Sequence, residues 1–116
     1  MTTPTRAFAD NYVERTNAGQ YDRLSSLFAE DAVFLAPDGR VFHGRGEIGA
    51  FYENFLPTIK SNIRLATFVE QGNVCVYELE ARINDEPDFR LSAIDHASLN
   101  DAGQVVRFVV YTRPRQ

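Results

Sequence analysis

Apolar positions recur every three to four residues through the first half of the chain and at every second residue through most of the remainder. The first spacing predicts helices and the second predicts strands. Thr3 and Pro4 supply an N-cap and a first-turn proline, Phe8, Tyr12, Val13 and Thr16 keep helical spacing, and Gly19 stands where a helix of this length ends. A second, short helix is predicted over "YDRLSSLFAED", with Leu24, Leu27 and Phe28 on one side. "AVFLA" then reads as a strand, "PDG" as a turn and "RVFH" as its hairpin partner. Helical spacing returns in "GRGEIGAFYENFL" through Ile48, Phe51, Tyr52 and Phe55, and Pro57 is predicted to stop it.

The remainder reads as sheet: "NIRLATFVE", "NVCVYELEARI", "RLSAIDHASL" and, after the turn "NDAGQ", "VVRFVVYT". In the second of these, Cys75, Tyr77, Leu79, Ala81 and Ile83 oppose Glu78, Glu80 and Arg82, the alternation of a half-solvated strand. The third alternates as well, and its alternation is the unusual one. Counting by twos from Phe89 gives Leu91, Ala93, Asp95, Ala97 and Leu99, so an aspartate shares the apolar face while Arg90, Ser92, His96 and Ser98 take the other.

Helices followed by antiparallel strands describe an α+β domain, with helices laid on one face of a curved sheet. Such a cone can enclose a small apolar ligand, oriented by the few polar groups that project inward. Asp95 is the clearest of these, Tyr12 follows on the stripe of Phe8, and Tyr52 is third. Two roles suit Asp95. It can cap a bend or pair with an arginine such as Arg107, or it can be a functional carboxyl, since an unpaired acid among apolar residues carries a desolvation cost a fold has little structural reason to keep. For either tyrosine alone, a core ring with its hydroxyl tied to the backbone is the plainer expectation.

Composition narrows the setting. With 116 residues, 44% of them hydrophobic and 24% charged, the chain is read as one globular domain over residues 1–116. Twelve basic against sixteen acidic residues give a net charge of -4, and no basic run interleaves with aromatics, so nucleic acid is not an expected partner. A lone cysteine, Cys75, and an N-terminus without an apolar signal core fit a reducing cytoplasm. No apolar run approaches the roughly 20 residues needed to cross a bilayer, so no membrane is expected.

His43 and His96 are candidate acid or base groups, although His96 falls on the polar face and His43 ends a hairpin strand. No metal-ligand spacing and no nucleophile motif is present, so neither a metal nor a cofactor is expected. Gly44 and Gly46 in "HGRGE" match a phosphate loop only in part and read as the entry to a helix. The closing "RPRQ" reads as a solvated tail.

The segments "YVERTNAGQYDRLSSLFAEDAVFLAPDG", "GEIGAFYENFL" and "AIDHASLNDAGQVV" resemble, with their spacing, the NTF2-like superfamily in its SnoaL-like branch. Within that branch the chain is most similar to the bacterial Δ5-3-ketosteroid isomerases. The resemblance implies a cystatin/NTF2-like cone, a curved antiparallel sheet with three N-terminal helices enclosing a pocket. It also implies an oxyanion hole formed by Tyr12 on the first helix and Asp95 in the "IDH" strand, with Tyr52 supporting Tyr12 through a hydrogen bond. A carboxylic acid kept protonated by an apolar site can donate to an oxyanion, which gives the inward Asp95 a physical rationale.

One position departs from the pattern. The isomerases carry their general base as an aspartate just before the proline of the first hairpin turn, and Ala36 stands there. Asp38, two residues on, is the alternative base, and Pro-Asp-Gly is also ordinary turn chemistry in which the aspartate bonds nearby backbone. Phe34, Ala36, Phe51, Phe55 and Phe108 are expected to wall the pocket. The expected function is binding of a steroid-like or polyketide-like ketone, with an enolate stabilised by Tyr12 and Asp95. The alternative is a ligand-binding or dimerisation module without turnover. The resemblance further implies a homodimer through the open face of the sheet, where Val74, Val76, Val105 and Val109 are expected.

Overall fold

Thr3 caps the first helix, its side chain accepting from the Arg6 amide at 3.2 Å, and Pro4 begins it, so α1 runs Pro4–Asn17. The structure, a computed structural model, describes residues 2–114. Met1, Arg115 and Gln116 lie outside the described residues, and with the last two goes half of the expected tail. Two 3₁₀ turns follow, Tyr21–Arg23 and Ser25–Leu27, then β1 (Phe28–Leu35), β2 (Val41–His43), α2 (Gly44–Ile59), β3 (Asn62–Gln71), β4 (Val74–Arg82), β5 (Leu91–Leu99) and β6 (Val105–Pro114).

Two elements differ from expectation for local reasons. The second helix is realised as the two 3₁₀ turns. A stretch this short gains little from helix propagation, and the Ser26 hydroxyl and the Arg15 guanidinium both donate to the Arg23 carbonyl, drawing that acceptor away from a helical ladder. Pro57 does not stop α2. It sits in the last turn on the exposed side, where the missing N–H removes one bond to a solvent-facing carbonyl, and the helix ends at Lys60 in the left-handed region, φ 43°.

The strands form one six-stranded sheet in the order β2-β1-β6-β5-β4-β3. All pairings are antiparallel except β1 with β6, so the sheet is mixed. Register breaks between Phe28 and Val33, Leu65 and Thr67, and Ser98 and Leu99 are the bulges that let it curve around the helices. α1 lays Thr5, Phe8, Ala9, Tyr12 and Thr16 into the concave side, and α2 adds Ile48, Gly49, Tyr52 and Leu56. Gly49 is small for a reason: a Cβ there would meet the Ser25 Cβ at 3.0 Å.

Both ends of α1 are tied to β3. Thr3 and Thr5 donate to Glu70. The Asn17 amide accepts from the Ile63 N–H at 2.7 Å and donates to the Ile63 carbonyl at 2.8 Å, which satisfies the first residues of an edge strand. Asn17→Ala leaves both partly buried backbone groups without that partner and is expected to lower stability by about 1–3 kcal/mol. Urea unfolding checks this, and a loss under about 0.5 kcal/mol would show that solvent replaces the amide.

The convex face differs from expectation at two valines: Val109 belongs to it but is buried, with 6% of its surface exposed, and Val105 does not belong to it. Val74 and Val76 are half-buried there, but Val105 faces Leu99 on the concave side and is fully buried. The bulge at Ser98 and Leu99 shifts the alternation of β6, which the sequence pattern does not register.

Candidate functional site

Asp95 lies in the middle of β5, directly opposite Tyr77 on β4 and Val110 on β6. Tyr12 descends on it from α1 and Tyr52 from α2, with their hydroxyls 3.0 Å apart. All four polar side chains are buried, Asp95 with 2% of its surface exposed. Around them the rings of Phe8, Phe28, Phe34 and Phe108 pack mostly tilted or edge to face, with centroids 5.4–6.5 Å apart. The inward positions on four strands and two helices therefore converge on one carboxyl and three phenols inside an aromatic shell.

Burial sets the protonation of this group. Removed from water, the Asp95 carboxyl is pushed from its ordinary 3.8 up to about 7. The Tyr77 hydroxyl leans on it and pulls the value partway back, yet the geometry falls short of a formed hydrogen bond, and both Tyr77 Oη and Asp95 Oδ2 are without a partner. Burial also raises the pKa of Tyr12, and the Asp95 charge adds to that while the bond to Tyr52 works against it. Tyr52 is raised by burial and by Tyr12, and Tyr77 by burial and by Asp95. At neutral pH the phenols are therefore donors, and Asp95 is poised to be one.

The remaining expected site residues divide. Phe34 and Phe108 are buried in the ring shell, and Ala36 is buried at the mouth of the first hairpin. Phe51 is half-buried and touches Phe34 at 5.3 Å and Tyr52 at 5.6 Å. Phe55 is 42% exposed, stacked on Phe51 along an open groove of about 500 Å³ that Arg40, Phe42 and Asn54 also line, so it stands outside the enclosed site.

Asp38 sits on the exposed turn, accepting from the Arg40 backbone N–H at 3.0 Å and from Arg40 Nε at 2.7 Å. Those contacts hold its carboxyl below the usual carboxylate range, the Arg40 backbone bond foremost. In the pair with Arg40 the Asp38 side chain stays 52% exposed to solvent. His43 is exposed at the start of α2, where its backbone N–H donates to Glu47. His96 and Arg107 belong to the convex face, so no arginine of β6 reaches Asp95 from there. Among the described residues, no group of three or more His, Cys, Asp or Glu is placed to hold a metal, and no helix is long and apolar enough to cross a membrane.

Tyr77 is the member of the cluster that sequence reasoning assigned only to a strand face. Its alternation put it inward, but a place opposite Asp95 depends on the β4–β5 register, which the chain pattern leaves open.

Comparison with solved structures shows the same architecture. A candidate ketosteroid isomerase from Kribbella flavida superposes with a TM-score of 0.81 at 21% identity, over 95% of this chain and 78% of that one. A steroid delta-isomerase from Pseudomonas aeruginosa gives 0.76 at 22% identity, over 98% and 82%. An uncharacterized bacterial protein with a cystatin-like fold from Silicibacter pomeroyi gives 0.76 at 21%, over 92% and 74%. At these identities the likeness establishes the expected cystatin/NTF2-like fold. No curated protein sequence matches the chain. The family model for the SnoaL-like domain matches residues 9–108, nearly the whole cone with every member of the buried polar cluster inside the span, and the chain belongs to that family.

Proposed function

We propose that this single domain binds a flat, apolar small molecule carrying a ketone or phenol oxygen, and that Tyr12 and the neutral Asp95 donate hydrogen bonds to that oxygen, stabilising its enolate or phenolate form. The observation that carries the reading is the buried Asp95 Oδ2, which completes no hydrogen bond among the described residues. A structural carboxyl would be expected to have found a cap or an arginine, and this one is faced by phenols and rings instead. Donors preorganised in a water-poor site act on developing negative charge at full strength. The Pseudomonas neighbour, a steroid delta-isomerase, is compatible with a fused-ring ligand of this kind.

Classical isomerisation needs a base on the ligand's other side. Ala36 cannot serve and Asp38 is engaged with Arg40, so enolate stabilisation is the part of the chemistry this chain supports. Entry would be through the groove beside Phe51, whose half-buried ring separates that groove from Phe34 and Tyr52. The reading involves no cofactor, and the lone buried thiol of Cys75 suits a reducing cytoplasm.

A second reading, a homodimerising module, is favoured by the convex face. Leu35, Val109, His96, Val76 and Val69 form one cross-strand row over five strands, and Val69, Ile94 and Tyr111 are exposed. Absorbance titration with 2-naphthol, which reports its own ionisation, separates the two. Preferential binding of the naphtholate, weakened about 10- to 100-fold in Tyr12→Phe and in Asp95→Asn, is the expected result, because a hydrogen bond to a charged oxygen contributes about 1.5–3 kcal/mol. Binding indifferent to both substitutions, or no binding, would leave the dimer module as the better account.

A further inference from the structure

We propose that Tyr77 is a specificity-determining residue of this site and that the preferred ligand carries two neighbouring oxygen atoms on one edge, as in a catechol or an enolised dicarbonyl. The inference rests on the small-molecule reading above and names the ligand class more narrowly. Its basis is the hydrogen-bonding inventory of the buried cluster. Tyr12 and Tyr52 share one bond, which uses one of their two hydroxyl protons. Neutral Asp95 has one O–H to give and Tyr77 has another.

A single ligand oxygen has two lone pairs, and Tyr12 and Asp95 fill them. The Tyr77 hydroxyl, which leans on Asp95 without completing a bond, then still has a proton to give in a position with 1% of the residue exposed, where no solvent takes it. A second acceptor beside the first uses it. Tyr77 and Asp95 are direct cross-strand partners, so their polar ends lie side by side and address adjacent atoms rather than opposite ends of a ligand. The Tyr77 ring is fixed for this task, stacked on Phe68 at 6.4 Å and tilted against Phe8 at 6.3 Å. Neither neighbouring ring offers the hydroxyl an acceptor, and Tyr77 Oη completes no hydrogen bond among the described residues. A phenylalanine would fill the same space, so the hydroxyl is a feature that packing does not require.

The test compares 2-naphthol with 2,3-dihydroxynaphthalene on the native protein and on Tyr77→Phe. The native protein is expected to bind the diol about 10-fold more tightly, the increment of one further hydrogen bond. Tyr77→Phe is expected to abolish that preference, so that the diol and 2-naphthol bind within about 2-fold of one another, a selectivity change that a merely structural role would not produce. Thermal unfolding of the variant establishes that it is folded. If 2-naphthol binds through Tyr12 and Asp95 but the diol gains nothing, or if the gain survives in Tyr77→Phe, the inference is overturned and the ketone-binding reading stands. If neither compound binds, that reading fails and the inference falls with it.

Discussion

Asp95→Asn is expected to unfold at higher urea concentration than the native protein above pH 7 and at nearly the same concentration near pH 4. This result follows from the buried carboxyl, whose pKa lies near 7 in the folded chain and near 3.8 once unfolding exposes it to water. Between those values the folded state binds the proton that the unfolded state has released. The stability contributed by the neutral carboxyl is therefore complete below about pH 4 and is lost as pH rises toward 7. At about 1.36 kcal/mol for each pH unit, the loss amounts to roughly 4 kcal/mol. Asparagine keeps the shape without titrating, so the difference between variant and native should open over that window and level off above it. Parallel pH profiles for the two proteins would show that Asp95 is solvated or ion-paired in solution. A domain of this size is stable by only about 5–15 kcal/mol, so a loss of roughly 4 is a large concession to keep one acid inside.

Phe108→Ala should have an effect of similar size in the opposite direction. Its ring is fully buried at the centre of the aromatic shell, 5.4 Å from Phe28 and Phe34, 5.6 Å from Tyr12 and 5.8 Å from Phe8. Truncation removes that burial and leaves a cavity bounded by rigid rings on α1 and β1, which have little freedom to collapse into it. A loss of about 3–5 kcal/mol is expected, read as a lower urea midpoint with an unchanged slope. A loss under about 1.5 kcal/mol would mean the shell relaxes, and would favour a cone loose enough to admit a ligand without rearrangement. The two substitutions bracket the energetics of the site: the rings supply the stability that the carboxyl reduces.

Much of this cone was legible residue by residue. The alternation in β4 placed Cys75, Tyr77, Leu79 and Ala81 inward, and all four are buried. The cap at Thr3 and Pro4 marked the start of α1, and the pairing of Tyr12 with Tyr52, implied by the family resemblance, is a 3.0 Å contact across 40 residues of sequence. Phe55 was not legible as an outside residue. Its spacing continues the stripe of Phe51, but at that turn the buried face of α2 is carried by Leu56, and Phe55 falls on the side of the open groove. Asp38 was ambiguous for a related reason, since turn chemistry and proton transfer want the same residue type, and only the position of Arg40 separates them.

Which face of α1, β4 and β5 is apolar could be read from the chain alone, and with it that an acid would be turned inward at position 95. Those are local properties, carried by the periods of two and about 3.6 that the backbone imposes. What that acid would meet was settled by contacts between distant segments. The parallel joining of β1 to β6, the register that sets Tyr77 opposite Asp95 and the bulge that turns Val105 inward are choices among pairings between distant segments. Each is fixed by the packing of the whole sheet against two helices, which no short window of sequence contains.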